Sequence, residues 1–99
     1  MIKHIIIWNF KDDLSAEERS QYSATIKAGL EGLLGVIDGL TDIKVRTEFL
    51  ASSNGDLMLD STFKDEQSLK GYQTAPEHLK VAEIVRSVVS QRKCVDFEI

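Results

Sequence analysis

The chain opens on an apolar alternation that leaves no polar face at its centre. Ile2, His4, Ile6, Trp8 and Phe10 fall on one side of an extended backbone, and Ile5 and Ile7 on the other. Successive strand side chains point to opposite faces, and β-branched residues suit that geometry, so residues 2–10 are expected to form a strand apolar on both faces at its middle. Such a strand has to be covered on both sides.

The period then changes. In "KDDLSAEERSQYSATIKAGLEGLLG" the apolar residues Tyr22, Ile26, Leu30, Leu33 and Leu34 recur at helical spacing. Ser15 and Glu18 supply an S-x-x-E capping box, Leu14 is placed to staple onto the first turn, and Gly35 suits the left-handed residue that ends helices. Gly29 and Gly32 would weaken the helix by about 1 kcal/mol each, and their expected return is close packing on a sheet.

"VIDGLTD" reads as a turn. "IKVRTEFL" sets Ile43, Val45, Thr47 and Phe49 against Lys44, Arg46 and Glu48, a half-buried strand. "ASSNGD" carries an Asn54-Gly55 turn signal and joins it, as a hairpin, to a third strand, "LMLDSTF". "KDEQSLKGYQ" predicts a short helix capped by Asp65. "TAPEHLKVAEIVRSVVSQ" predicts a second helix, with a capping box from Thr74 and Glu77 and with Pro76 tolerated in the first turn. Its apolar stripe is Leu79, Ala82, Val85 and Val89, widened by Val81, Ile84 and Val88. "KCVDFEI" closes the chain as a fourth strand.

The predicted order is β-α-β-β-α-β, an α+β, ferredoxin-like arrangement with one four-stranded antiparallel sheet and two helices on one face. Residues 1–99 are read as a single domain. The helices cannot also cover the face that carries Ile5 and Ile7. The simplest cover is a second copy, so the expectation is a homodimer packed through the sheet face as a barrel of two chains.

Composition narrows the partners. The 99 residues carry a net charge of −4, and their lysines and arginines are scattered. Phosphate binding wants a basic patch, so neither nucleic acid nor a membrane surface is expected as a partner. The N-terminal segment lacks the layout of a secretion signal, and no run approaches the ~20 apolar residues of a membrane span, which makes the cytoplasm the expected location. Cys94 is the single cysteine, so no internal disulfide is expected, and it reads as a small strand residue. With two histidines and no close Cys/His/Asp pattern, no metal site is expected. No phosphate loop, dinucleotide fingerprint, nucleophile elbow or zinc-protease motif occurs, so no cofactor is expected.

The chemistry that remains lies in "YQTAPEH", where a proline separates Tyr72 from His78. A neutral imidazole is a usable base near pH 7, and a phenol can donate a hydrogen bond to a developing enolate oxygen. Together they could deprotonate a carbon next to a carbonyl. Against that stands a plain capped kink with two ordinary side chains. His4 joins the pair if its face of the first strand looks at the helices.

At this level the chain resembles the stress-responsive A/B barrel (Dabb) family of small dimeric α+β barrels. The resemblance rests on "MIKHIIIWNFKDD", "IDGL", "DLMLDSTF", "SLKGYQTAPEH" and "VDFEI", in order and across nearly the whole chain. It implies the ferredoxin-like protomer and the sheet-to-sheet dimer. The plant polyketide cyclase that makes olivetolic acid is similar in layout. There a tyrosine and a histidine flank the same proline and carry an aldol cyclisation, and Tyr72 and His78 match those positions. His4 matches a first-strand histidine near the same pocket. Two positions depart: Ala75 stands where the family often has a histidine, and Leu57 where the cyclase has a further pocket histidine. The expected site is therefore His78, Tyr72 and His4 as catalytic residues, with Trp8, Ile6, Leu57 and Leu59 lining a ligand pocket. The expected function is binding of a small apolar or aromatic ligand between sheet and helices. A cyclase-like or lyase-type activity of the His/Tyr pair is the alternative, and a purely structural role in a stress-related assembly is a third.

Overall fold

The computed structural model describes all 99 residues. The elements run β1 (Ile2–Phe10), α1 (Ala16–Glu31), β2 (Leu40–Arg46), β3 (Leu57–Phe63), α2 (Glu66–Thr74), α3 (Pro76–Val88) and β4 (Val89–Glu98). The strands form one antiparallel sheet in the order β2-β3-β1-β4, the ferredoxin-like protomer. No helix is long and apolar enough to cross a membrane.

β1 is central, and its alternation sorts the two faces of the sheet. Ile2, His4, Ile6, Trp8 and Phe10 are buried on the helix side. With Ile26 and Leu30 of α1, Val45 of β2, Leu57, Leu59 and Phe63 of β3, and Val85 and Val88 of α3 they make the core. The other face carries Ile5 and Ile7 beside Met58 of β3 and Val95 and Phe97 of β4. Val95 is 60% exposed and Phe97 47% exposed, so this face is the apolar surface foreseen from β1.

Local signals placed most of the termini. Ser15 and Glu18 close the capping box of α1, and Asp65 caps α2 by accepting from the Ser68 N–H at 2.8 Å. The second capping box does not form. The residue before a proline is pushed out of the helical region, so Ala75, at φ −65° and ψ 132°, is the N-cap of α3 and has no side chain to cap with. The Thr74 hydroxyl instead donates back to Gly71 O at 3.4 Å.

Three further expectations are corrected. β2 starts at Leu40 and stops at Arg46, leaving Thr47 and Phe49 in the loop; Gly39, at φ 83°, makes the turn that starts the strand early. Val89 opens β4, and Leu79 is exposed, so the buried stripe of α3 is centred on Val85 and Val88. Gly29 packs on α3 rather than on the sheet, since a Cβ there would lie 3.1 Å from the Val81 methyl groups.

Candidate functional site

Pro76 builds the site. On an unbroken helix, residues six apart would point roughly 120° away from one another. The break at Ala75 ends α2 just after Tyr72 and starts α3 just before His78, and it folds the two rings together. Their centroids lie 4.0 Å apart with planes tilted by 30°. This is a stacked contact. Neither the Tyr72 hydroxyl nor His78 Nδ1 has a hydrogen-bond partner within the protein, although both atoms are buried. Buried polar atoms are nearly always paired, so two orphans side by side are unusual.

Between sheet and helices, at these rings, lies a cavity of about 340 Å³. It falls at the small end of the ~300–1,000 Å³ typical of ligand pockets. β1 contributes His4, Ile6 and Trp8, and β3 contributes Leu59. Gln73 joins Tyr72 from α2, while one face of α3 supplies His78, Ala82, Val85 and Arg86. Arg92 of β4 completes the wall next to Trp8, its cross-strand partner. The expected pocket residues Ile6, Trp8 and Leu59 thus line the cavity. Leu57 does not: it is wholly buried in the core, opposite Trp8 in the sheet.

His4 does face the helices. It is 1% exposed, and its ring meets Tyr72 edge-on at 6.0 Å between centroids. Phe63 packs on both, 5.0 Å from the Tyr72 ring and 6.3 Å from that of His4. His4 Nδ1 is tied to Asp96 Oδ1 at 2.5 Å, from the cross-strand partner position on β4. This bond fixes the ring and leaves Nε2 for the cavity side. Cys94 also lies here, with Sγ 3.7 Å from His4 Nδ1 and 3.5 Å from Asp96 Oδ1.

Burial sets the protonation states. It holds the His78 pKa below its ordinary 6.5. The carbonyls of Gln73 and Tyr72 pull the other way without completing a hydrogen bond to Nδ1, and electrostatic repulsion from the neighbouring His4 and Arg86 side chains reinforces the fall. The N-terminal end of α3 also disfavours an imidazolium. His78 is accordingly a neutral base at pH 7. Burial pushes the Tyr72 phenol well above its ordinary 10.0, so it stays a proton donor. Tyr72 and His78 can therefore serve a polar atom of a third molecule, one as donor and the other as acceptor.

His4, Cys94 and Asp96 are the residues that could hold a metal, since their donor atoms lie within 4.8 Å of one another. Their chemistry fits a hydrogen-bonded carboxylate–imidazole pair better. His4 Nδ1 and Asp96 Oδ1 already bond to each other. Burial, followed by the charge of Asp96, raises the Cys94 pKa and disfavours the thiolate a metal would need.

Gln73, Arg86, Arg92 and Asp96 were not singled out in the sequence. The two β4 residues come to the site through the β1–β4 register, which pairs Trp8 with Arg92 and His4 with Asp96. That register was the missing signal.

Fold and site define a ferredoxin-like α+β protein with a partly enclosed cavity on its helix side. The chain belongs to the Dabb family: residues 2–99 match the model of the stress responsive A/B barrel domain. A dimeric ferredoxin-like protein of unknown function from Bacteroides fragilis is similar over 99% of this chain and 95% of its own, with 28% identity and a TM-score of 0.93. Another such dimer, from Thermobifida fusca, superposes at TM-score 0.82 with 21% identity, over 99% of this chain and 90% of its own. A hydroxynitrile lyase from Passiflora edulis shares the fold at TM-score 0.74 and 16% identity, over 99% of this chain and 92% of its own. A comparison with curated protein sequences finds no match.

Proposed function

We propose that this protein is a homodimer that binds a small apolar or aromatic ligand between sheet and helices, with Tyr72 and His78 making its polar contacts. The observation that carries this reading is the pair of buried, unpartnered polar atoms, Tyr72 Oη and His78 Nδ1, in the wall of a mostly apolar cavity. A ligand carbonyl can accept from the phenol, and the neutral imidazole can take up a donor. Trp8 lines the cavity and is the only tryptophan of the chain, so its fluorescence reports on occupancy. Titration with octanamide should shift Trp8 emission saturably. Ala82→Phe, which fills the cavity, should abolish the shift in a folded protein. An unchanged shift in that variant would place the ligand elsewhere.

A second reading is favoured by the protonation states. His78, held neutral, is a base, and Tyr72, held protonated, is a donor for an enolate oxygen. The class is proton abstraction next to a carbonyl, as in a cyclase or lyase, with His4 assisting as the ring oriented by Asp96. The Passiflora hydroxynitrile lyase shows that this fold can carry lyase chemistry. Deuterium exchange into the methyl group of acetophenone, followed by NMR, tests the step without knowledge of the product. His78→Ala should end any exchange while the fold, checked by circular dichroism, persists. Exchange that survives in that variant removes His78 as the base.

The dimer completes the reading. Ile7, Val95 and Phe97 supply an apolar sheet face, and the Bacteroides and Thermobifida relatives are dimeric. A second copy is the occupant this surface suits, in a cytoplasmic protein.

A further inference from the structure

The cavity wall includes two arginines and no acidic residue. In a chain of net charge −4 that local balance is inverted. Exposed arginines usually find an acidic neighbour or extend into solvent. Arg86 and Arg92 form no ion pair, so neither is committed to a carboxylate of the protein. Both line a space whose other walls include Ile6, Trp8, Leu30 and Leu59. They reach it from different elements. Arg86 lies two turns along α3 from His78, on the face that also presents Ala82 and Val85. Arg92 stands across the sheet from Trp8. Arg86 and Arg92 line the same cavity as the two unpartnered polar atoms.

Arginine is suited to this arrangement. Its planar fork of donors matches a carboxylate, and it sheds water more readily than a lysine ammonium. An apolar slot with one polar corner and two such forks is complementary to an amphiphile with a negative head.

We infer that the ligand of this cavity is a small apolar carboxylate, its body over Ile6, Trp8 and Leu59 and its carboxylate between Arg86 and Arg92. This inference rests on the proposed ligand-binding role of the same cavity and names the ligand's chemical class. The carboxylate belongs at the exposed end, where the arginines stay partly hydrated. The deeper end offers Tyr72 and His78 to a second polar atom of the ligand.

Octanoate and octanamide have the same length and nearly the same shape and differ in charge, so the pair isolates the arginines. Both are titrated into the full-length protein by Trp8 fluorescence, with octyl phosphate as a third probe. Octanoate should bind at least about tenfold more tightly than octanamide, the discrimination worth one charge-assisted hydrogen bond. The preference should shrink with added salt. Replacing both arginines, Arg86→Gln with Arg92→Gln, should abolish the difference in affinity between octanoate and octanamide when both are measured on that variant. Both positions are exposed, so the variant should keep its fold and dimer, checked by circular dichroism and sedimentation. If octanamide binds but octanoate has no advantage, or keeps its advantage in the double variant, the carboxylate inference is wrong and the cavity reading stands. Tighter binding of octyl phosphate than of octanoate would replace the carboxylate with a phosphate head. If no probe moves Trp8, both readings fall.

Discussion

Tyr72→Phe separates a functional phenol from a structural one. The ring is 1% exposed and packs against His4, Phe63 and His78, and all of those contacts survive in phenylalanine. The substitution removes only an oxygen that is buried with no partner in the protein. Leaving a buried polar group unsatisfied costs about 1–3 kcal/mol. Tyr72→Phe should therefore leave stability unchanged or raise it by about 1 kcal/mol or more. For a domain of this size, 1 kcal/mol corresponds to roughly 4–8 °C in Tm. Tyr72→Ala, by contrast, also removes the ring and should cost about 3–5 kcal/mol. Thermal unfolding of the three proteins at one protomer concentration is the assay, because the Tm of a dimer depends on concentration. Binding of octanamide should weaken in Tyr72→Phe while the Tm holds or rises. The reasoning is refuted if Tyr72→Phe loses 1 kcal/mol or more, since the hydroxyl must then be making a bond that stabilises the fold.

Three further outcomes follow from the same geometry. The depressed pKa of His78 means that the unfolded chain binds its proton more readily than the native one. Its contribution to stability is complete above the ordinary 6.5 and is lost as pH falls through the lower native value. Denaturant unfolding from pH 7.5 to 5 should show that loss in the native protein and less of it in His78→Asn; equal slopes would mean that His78 is not the group responsible. Cys94 should alkylate more slowly with iodoacetamide than a free thiol, since burial and the charge of Asp96 hold its pKa up. Asp96→Asn should quicken the reaction, and an unchanged rate would show that Asp96 does not act on the thiol. On the open face, Phe97→Asp paired with Ile7→Asp should convert the dimer to monomer in sedimentation velocity, whereas a dimer that persists would place the interface elsewhere.

Much of the molecule is written locally. The alternation around β1, the capping box at Ser15, the Asp65 cap and the proline at 76 depend on residues within a few positions of one another, and each appears where the pattern placed it. The two apolar sides of β1 already required cover on both faces of the sheet. Tyr72 and His78 stood out because a proline between two polar rings is visible in a line of text. The tertiary structure decided the rest. The orphaned state of Tyr72 Oη and His78 Nδ1 depends on what surrounds them in space, and no spacing encodes it. Leu57 and Leu59 look equivalent in sequence, yet only Leu59 reaches the cavity, while Leu57, opposite Trp8, is covered completely by the core. Asp96 and Arg92 meet His4 and Trp8 only through the pairing of the first strand with the last, a register set by the whole sheet across some ninety residues of chain.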